Sequence, residues 1–246
     1  MQNTIHLLNK RLTLHQPEDG FKTAIDGVLL AAACPAKAEE HVLDLGCGVG
    51  TAGLCVLART PEVLLTGIDI QADHIGLARA NALENKMAEH SQFETACVTD
   101  YIRRDAGGKN RLFDHVTCNP PYNESGAHVR SPSPAKALAM GHDQTTLEDW
   151  ITCANRNLKS GGSFTLVHQA SQLDKILQAL EGKFGAVEII PLWPKTGIPA
   201  KRVIIRCLKD RKSPATLHAG ITLHQENGDY TLEAEALLRG MKALIP

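Results

Sequence analysis

The chain has 246 residues, of which 43% are hydrophobic and 22% are charged, and its formal net charge at pH 7 is -1. These values are typical of one α/β domain with a buried core, and they exclude a protein that coats nucleic acid through a general basic field. No stretch has the pattern of a signal peptide or of a membrane-spanning helix, and the seven cysteines contain no CxxC pair. We therefore expect a cytoplasmic protein with reduced thiols, no membrane association and no metal site.

The first forty residues are predicted to form an arm and a lid segment in front of a main domain over residues 41–246. An alternating run over residues 11–15, followed by a Pro-Glu-Asp-Gly turn, predicts a short hairpin or an edge strand. The next segment, GFKTAIDGVLLAA, predicts an apolar helix capped by Thr23 or Asp26. This segment is either a helix packed on the domain or a lid over a ligand, and its residues leave both readings open.

A strand over residues 41–46, a glycine-rich turn and an apolar helix follow one another. This order is typical of the nucleotide-binding opening of a doubly wound sheet, where glycines let a ligand approach the backbone. The spacing of Gly48, Gly50 and Gly53 also satisfies GxGxxG, so the glycines alone leave a dinucleotide open. Asp44 favours a different ligand, because a carboxylate two residues before Gly46 would repel a pyrophosphate and attract an ammonium group.

Acidic residues follow at the next two predicted strand ends. Asp69 lies at the end of the strand over residues 63–70, where a carboxylate commonly binds a ribose diol, although it would also suit a helix cap. Asp100 follows a strand predicted over residues 93–98. There it is either an acceptor for the amine of a purine or an ordinary turn residue.

The strand predicted over residues 113–118 stops abruptly in Asn119-Pro120-Pro121-Tyr122, an NPPY motif. Two prolines remove two backbone donors, so the chain cannot continue as a paired strand. The tip then offers the Asn119 amide, the carbonyl before Pro121 and the Tyr122 ring. This set suits a planar group with an NH2, because two acceptors match its two protons and the ring supplies a stacking surface. A simple proline-rich turn is the alternative.

The remainder of the chain alternates helices and strands. A polar loop over residues 123–141 is long enough to close over a substrate. Helices are predicted at about 147–158, 172–181 and 232–239, and strands at 163–167, 186–192 and 203–208. The basic residues near Lys201 form either a solvated strand end or an anion-facing patch. We predict an α/β fold with a doubly wound, seven-stranded, mostly parallel sheet and helices on both faces.

With Asp44, Asp69, Asp100 and Asn119 at successive strand ends, the chain resembles the class I methyltransferases that use S-adenosylmethionine. More narrowly, it is similar to the methyltransferase small group, and within that group to the bacterial tRNA1(Val) adenosine-37 N6-methyltransferases. The likeness covers nearly the whole chain. Three segments outside the shared core carry it, namely GFKTAIDGVLLAA, PAKRV at 199–203 and YTLEAEALLRG at 230–240. One departure follows the polar loop, where residues 141–143 are Gly-His-Asp and family members often have His-Glu.

The resemblance implies a Rossmann-like fold, S-adenosylmethionine as cofactor and tRNA as substrate, methylated on N6 of an adenosine in the anticodon loop of tRNA(Val). The cofactor site that it implies consists of Lys22, Thr23, Asp26, Asp44, Gly46, Gly48, Asp69, Asp100 and Asn119. The implied catalytic residues, which would hold the target base, are Asn119, Pro120 and Tyr122. As partners of the RNA phosphates we predict Arg130, Lys136, Lys201 and Arg202.

The same tip would serve other planar amines and amides. Enzymes that methylate a glutamine of release factors share it but carry an N-terminal helical domain, whereas only about forty residues precede the glycine turn here. Methylation of rRNA guanine N2 or of DNA adenine also stays open, as does an NAD-dependent oxidoreductase. A fold that merely binds RNA is less compatible with an intact Asn119 together with Asp44 and Asp69.

Overall fold

The computed structural model of the protein describes residues 2–18, 25–104, 107–108, 110–122 and 145–244. The chain begins with a hairpin of two antiparallel strands, β1 (Gln2–Leu7) and β2 (Leu12–Pro17). The hairpin predicted from the alternating run is therefore confirmed.

The centre of the molecule is a sheet of nine strands among the described residues. Seven of them correspond to predicted strands, and two strands of two residues each are added beside β8. The bounds are β3 (His41–Leu45), β4 (Leu64–Asp69), β5 (Ser91–Thr95), β6 (Phe113–Cys118), β7 (Leu158–Gln169), β8 (Phe184–Trp193), β9 (Arg202–Lys209), β10 (Thr216–Leu217) and β11 (Ile221–Thr222). Their spatial order is β10-β8-β9-β7-β6-β3-β4-β5, with β11 also paired to β8.

The strands that carry the candidate site residues run parallel. β3 lies between β4 and β6, and Leu45 at its end pairs with Ile68 and Cys118. β6 is also parallel to β7, whereas β9 runs antiparallel between β7 and β8. Parallel strands end at the same edge of a sheet, so the residues that follow β3, β4 and β6 meet there. The predicted doubly wound, mostly parallel sheet is confirmed, with nine strands instead of seven.

Helices cover both faces of this sheet. The α-helices in the described ranges are α1 (Ile25–Ala33), α2 (Thr51–Arg59), α3 (Ala72–Glu84), α4 (Leu147–Asn157), α5 (Leu173–Leu180) and α6 (Leu232–Leu238). Alternate residues of β3 serve the two cores, since Val42 packs with α1, α2, α3 and α6 while Leu43 packs with α4 and α5. Among these helices, none combines the length and the apolar character needed to cross a bilayer.

Two asparagines of α3 attach the hairpin to the domain. Asn85 Oδ1 accepts a hydrogen bond from the backbone N of Thr13 at 2.9 Å. Asn81 Nδ2 donates to the carbonyl of His15 at 3.0 Å and to the carbonyl of Val49, in the glycine turn, at 2.9 Å. One buried side chain therefore contacts both the hairpin and the turn between β3 and α2.

Candidate active site

The turn between β3 and α2 contains three glycines with positive φ. Gly46, Gly48 and Gly50 have φ values of +65°, +54° and +89°, in the left-handed region that glycine adopts without steric cost. A methyl group on Gly46 would lie 2.7 Å from the ring of Trp150 in α4, whereas one on Gly48 would meet nothing within 4 Å. The turn therefore packs against α4 at Gly46 and borders open space at Gly48, where a ligand can approach the backbone.

Asp44 is the buried carboxyl group of this region, with only 1% of its surface exposed. Its Oδ2 accepts a hydrogen bond from the backbone N of Gly53 at 2.9 Å, and its Oδ1 accepts one from the Thr117 hydroxyl at 3.0 Å. Burial raises the pKa of Asp44 to about 7, although both hydrogen bonds act to lower it. A cation bound beside Asp44 would favour its carboxylate form.

Asp69 ends β4, and its two carboxylate oxygens bind backbone N–H groups. Oδ2 accepts from Gly48 at 3.0 Å and Oδ1 accepts from Gln71 at 2.8 Å, so Asp69 links the glycine turn to the residue before α3. Each carboxylate oxygen has a second acceptor position, which a ligand hydroxyl can use. Ile70 follows with 39% of its surface exposed, an apolar side chain at the site that sequence reasoning did not single out.

Asp100 does not lie at a strand end, so the predicted position was wrong. β5 stops at Thr95, and beyond it the backbone N of Tyr101 bonds to the carbonyl of Cys97 at 3.0 Å. The strand stops early because Val98 and Tyr101 turn into the core beneath α4, where both are buried. Asp100 is exposed in this turn, and its binding of an adenine amine stays a prediction.

The NPPY tip stands at the same edge as the glycine turn. Asn119 follows Cys118, which pairs with Leu45, the residue just before that turn. Pro120 is buried, while Pro121 is exposed. The Tyr122 hydroxyl lies 2.9 Å from Asn119 Oδ1 and 2.8 Å from a carboxylate oxygen of Asp26. The tip is thereby bonded to α1, an element that precedes it by about ninety residues in the chain.

Asp26 lies inside the first turn of α1, which begins at Ile25, so it is not the cap of that helix. Its side chain is 11% exposed, and its Oδ2 accepts a hydrogen bond from Arg202 Nε at 3.1 Å. The alternative cap, Thr23, lies outside the described residues. Asp26 thus connects α1 with both the NPPY tip and the start of β9.

Among the described residues, Arg202 and His168 contact the Tyr122 ring. The guanidinium carbon of Arg202 lies 4.5 Å from the ring centroid, and the His168 ring meets the ring edge-on at 5.1 Å with an interplanar angle of 71°. The stacking surface predicted for Tyr122 is therefore already covered on one side by a guanidinium. Sequence reasoning missed His168, whose only signal was a polar residue directly after the apolar pair Leu166-Val167.

The predicted substrate-binding residues fall into two groups. Lys201 is exposed just before β9, whereas Arg202 is paired with Asp26. The other two, Arg130 and Lys136, lie outside the described residues, as do Lys22 and Thr23 of the predicted cofactor site. In the part of the chain that the structure describes, no three His, Cys, Asp or Glu side chains are grouped to hold a metal ion.

The methyltransferase small domain matches residues 23–192, more than half of the chain. The chain belongs to this family. A relative from Shewanella woodyi, named tRNA1(Val) (adenine(37)-N6)-methyltransferase, is 26% identical over 66% of this chain and 65% of its own length. A relative of the same name from Yersinia enterocolitica is 27% identical over 89% of this chain and 84% of its own length.

Solved methyltransferase structures share the fold. A predicted O-methyltransferase, protein Atu636 from Agrobacterium tumefaciens, aligns with a TM-score of 0.72 at 25% identity, covering 89% of this chain and 98% of its own. Geranyl diphosphate C-methyltransferase from Streptomyces coelicolor, solved with S-adenosyl-L-homocysteine, aligns with a TM-score of 0.52 at 16% identity, covering 75% and 74%. As a member of the methyltransferase small family, the chain is a methyltransferase, and its cofactor is S-adenosylmethionine.

The residues at the sheet edge fit that cofactor. The raised pKa of Asp44 marks a position where positive charge is favourable, and the cofactor carries positive charge on its sulfur and its amino group. Asp69 has acceptor positions for hydroxyl groups, and Gly48 borders space for a ligand. A pyrophosphate would bring negative charge towards Asp44 and Asp69, which disfavours the dinucleotide alternative.

Proposed function

We propose that this methyltransferase modifies N6 of an adenosine in RNA, in the anticodon loop of a tRNA such as tRNA(Val). The observation that carries the proposal is the position of the NPPY tip beside the glycine turn, with the Asn119 amide contacted by Tyr122. The names of the Shewanella and Yersinia relatives support this choice of RNA and base. These relatives are 26% and 27% identical to this chain, so the choice of RNA and base for this chain is part of the proposal.

The tip would bind the amino group through two oxygen acceptors. An adenine amine is a weak nucleophile because its lone pair is delocalised into the ring. In the proposed complex, Asn119 Oδ1 accepts one N–H and the Pro120 carbonyl accepts the other, which draws the nitrogen towards pyramidal geometry. The contact from Tyr122 leaves Asn119 Oδ1 a second acceptor position for the amine. Positioning and hydrogen-bond polarisation of this kind lower a barrier by several kcal/mol, as an order of magnitude.

Asp44, Gly48 and Asp69 would hold the cofactor next to this tip, with Asp44 facing positive charge and Asp69 facing hydroxyl groups. When bound, S-adenosylmethionine supplies a methyl group on positively charged sulfur. The roles of Lys22, Thr23, Asp26, Gly46 and Asp100 in this site also stay part of the proposal. Arg130 and Lys136 belong to the segment that follows the tip in sequence, whereas Lys22 precedes α1.

The RNA has to present an unstacked base to the tip, which costs least in a loop. Lys201 is the described cation best suited to a phosphate, because it is exposed and next to the tip's partner Arg202. Each phosphate contact contributes to the fall of affinity with salt. We therefore expect RNA binding to weaken as ionic strength rises.

The proposal is tested by incubating total small RNA with the enzyme and a labelled methyl donor, followed by mass spectrometry of the nucleosides. We expect N6-methyladenosine in the tRNA fraction with the wild-type enzyme and none with Asn119→Ala. The variant should still bind S-adenosylmethionine, because the amide that it lacks is proposed to accept a hydrogen bond from the amino group of the adenine. Asn227→Ala is the matched control, since Asn227 is exposed in a turn and bonds locally to Asp229.

The proposal would be contradicted if Asn119→Ala kept near-normal turnover, or if parallel reactions with RNA, DNA and protein carried label only into guanine, DNA or protein. Label in a glutamine of a protein substrate would favour the release-factor alternative. Label in rRNA guanine would favour the other RNA alternative.

A further inference from the structure

The NPPY tip is held by side chains from three other elements. Asp26 comes from α1, His168 from β7 and Arg202 from β9, and all three contact Tyr122. β7 and β9 are antiparallel neighbours in which Gln169 pairs with Arg202 and His168 pairs with Val203, so His168 and Arg202 are one step apart at the end of the same ladder. The cluster lies beside the amide of Asn119, which is the proposed acceptor of the substrate amine.

One oxygen of Asp26 serves two donors. Asp26 Oδ2 lies 2.8 Å from the Tyr122 hydroxyl and 3.1 Å from Arg202 Nε. The same hydroxyl lies 2.9 Å from Asn119 Oδ1. A phenol has one hydrogen to donate, so the carboxylate of Asp26 and the amide of Asn119 compete for it. By pairing with Asp26, the guanidinium weakens the pull of the carboxylate on that hydrogen.

The charge of Arg202 is balanced inside the cluster. Asp26 is 11% exposed and forms an ion pair with Arg202, whose side chain is 32% exposed. Burial lowers the pKa of His168 and Arg202 adds to the effect, which favours the neutral imidazole. A guanidinium that is paired with a buried carboxylate and stacked on a ring is poorly suited to a phosphate. Lys201, by contrast, is exposed next to it.

We propose that Arg202 is a positioning residue, which pairs with Asp26 and stacks on Tyr122 so that the tyrosine hydroxyl donates to Asn119 Oδ1 and fixes the amide. This inference rests on the proposed role of Asn119 as the acceptor of the substrate amine. In this role Arg202 fixes the geometry of the NPPY tip, whereas the sequence predicted that it contacts an RNA phosphate. The two roles predict different kinetic changes.

The first test compares Arg202→Ala with Lys201→Ala in steady-state methylation of the RNA substrate. For Arg202→Ala we expect kcat to fall on the order of 100-fold, because a small displacement of a reacting group is costly. Its KM for RNA and the dependence of KM on salt should stay close to those of the wild type. Lys201→Ala should do the opposite, with kcat retained and the salt slope of RNA binding reduced by roughly one unit.

Two further variants test the inference even if Arg202→Ala fails to fold. Arg202→Lys preserves the positive charge but not the planar guanidinium, so it should recover only part of kcat. Tyr122→Phe preserves the ring and removes the hydroxyl. If Arg202 acts through this hydroxyl, Tyr122→Phe combined with Arg202→Ala should be no slower than the slower single variant. Additive losses would overturn the inference, and so would a higher KM with unchanged kcat.

A second readout needs no turnover. The side-chain amide signal of Asn119 can be assigned by NMR from its disappearance in Asn119→Asp. We expect this signal to shift in Tyr122→Phe and in Arg202→Ala, and to stay in place in Lys201→Ala. An unshifted signal in Arg202→Ala would overturn the inference even if the RNA substrate proved to be wrong. Absence of N6-methyladenosine from the wild-type reaction, with the expected shifts observed, would instead count against the proposed function alone.

Discussion

At the scale of single residues, Asp44 controls the charge of the candidate cofactor site. It is buried beneath the glycine turn, and its contacts to Gly53 and Thr117 do not fully compensate for the loss of solvent. Burial therefore raises its pKa to about 7. Near neutral pH the carboxyl group can be protonated in the free protein and ionised beside a bound cation.

This situation predicts a pH-dependent cofactor affinity. As the pH falls below about 7, affinity for S-adenosylmethionine should drop by up to about tenfold per pH unit, because a proton must leave Asp44 before the cation can pair with it. Asp44→Asn should bind weakly and lose this part of the pH dependence. Isothermal titration calorimetry in buffers of different ionisation heat measures both the affinity and the proton release.

Stability provides the control for that variant. The folded-state pKa of Asp44 lies above its unfolded value, so its contribution to folding is complete below the unfolded pKa of 3.8 and is lost as the pH rises through about 7. The free energy of unfolding of Asp44→Asn, relative to the wild type, should therefore increase between pH 5 and pH 8. A constant difference over this range would contradict the raised pKa.

At the scale of elements, the turn from β3 to α2 requires glycine for two reasons, a positive φ and a close contact with a ring. Gly46 and Gly48 both have positive φ, but only Gly46 packs directly on an aromatic ring. The tight contact with Trp150 couples the turn to α4. Thr146 fixes the start of α4 through a capping box with Asp149, so the ring is carried on a well-defined helix end.

The two glycines therefore differ in what a methyl group would cost. Gly48→Ala should lower the free energy of unfolding by about 1 kcal/mol, the cost of left-handed backbone for alanine. Gly46→Ala should lower it by more, because its methyl group would lie 2.7 Å from Trp150. Urea unfolding of both variants, followed by circular dichroism, measures the difference. Equal losses would show that Trp150 can move away without cost.

At the scale of the whole molecule, Asn81 joins the N-terminal hairpin to the cofactor side of the domain. It is completely buried, and it bonds the backbone N and O of His15 as well as the carbonyl of Val49. Residues far apart in the chain therefore share one side chain. Loosening the hairpin is expected to loosen the glycine turn as well.

Asn81→Ala should lower the free energy of unfolding by roughly 3 kcal/mol, because it leaves buried backbone groups without partners. The half-buried Asn85, which bonds Thr13 in the hairpin and the carbonyl of Asn81 within α3, provides the comparison. Asn85→Ala should cost less and leave the turn intact. Hydrogen exchange of β2 and of residues 46–50 separates the two, since faster exchange in both segments is expected only for Asn81→Ala.

The sequence by itself determined the sheet, the glycine turn and the NPPY tip, because these depend on local patterns: apolar runs, glycine conformations and prolines that stop a strand. Asp44, Asp69 and Asn119 could be assigned to one edge because parallel strands end together. The strand end predicted just before Asp100 was wrong, since β5 stops at Thr95 and burial of Val98 and Tyr101 bends the chain beyond it. Only the tertiary structure decided that Asp26, His168 and Arg202 meet Tyr122. Long-range packing of α1, β7 and β9 brings them there, and no spacing in the chain records it.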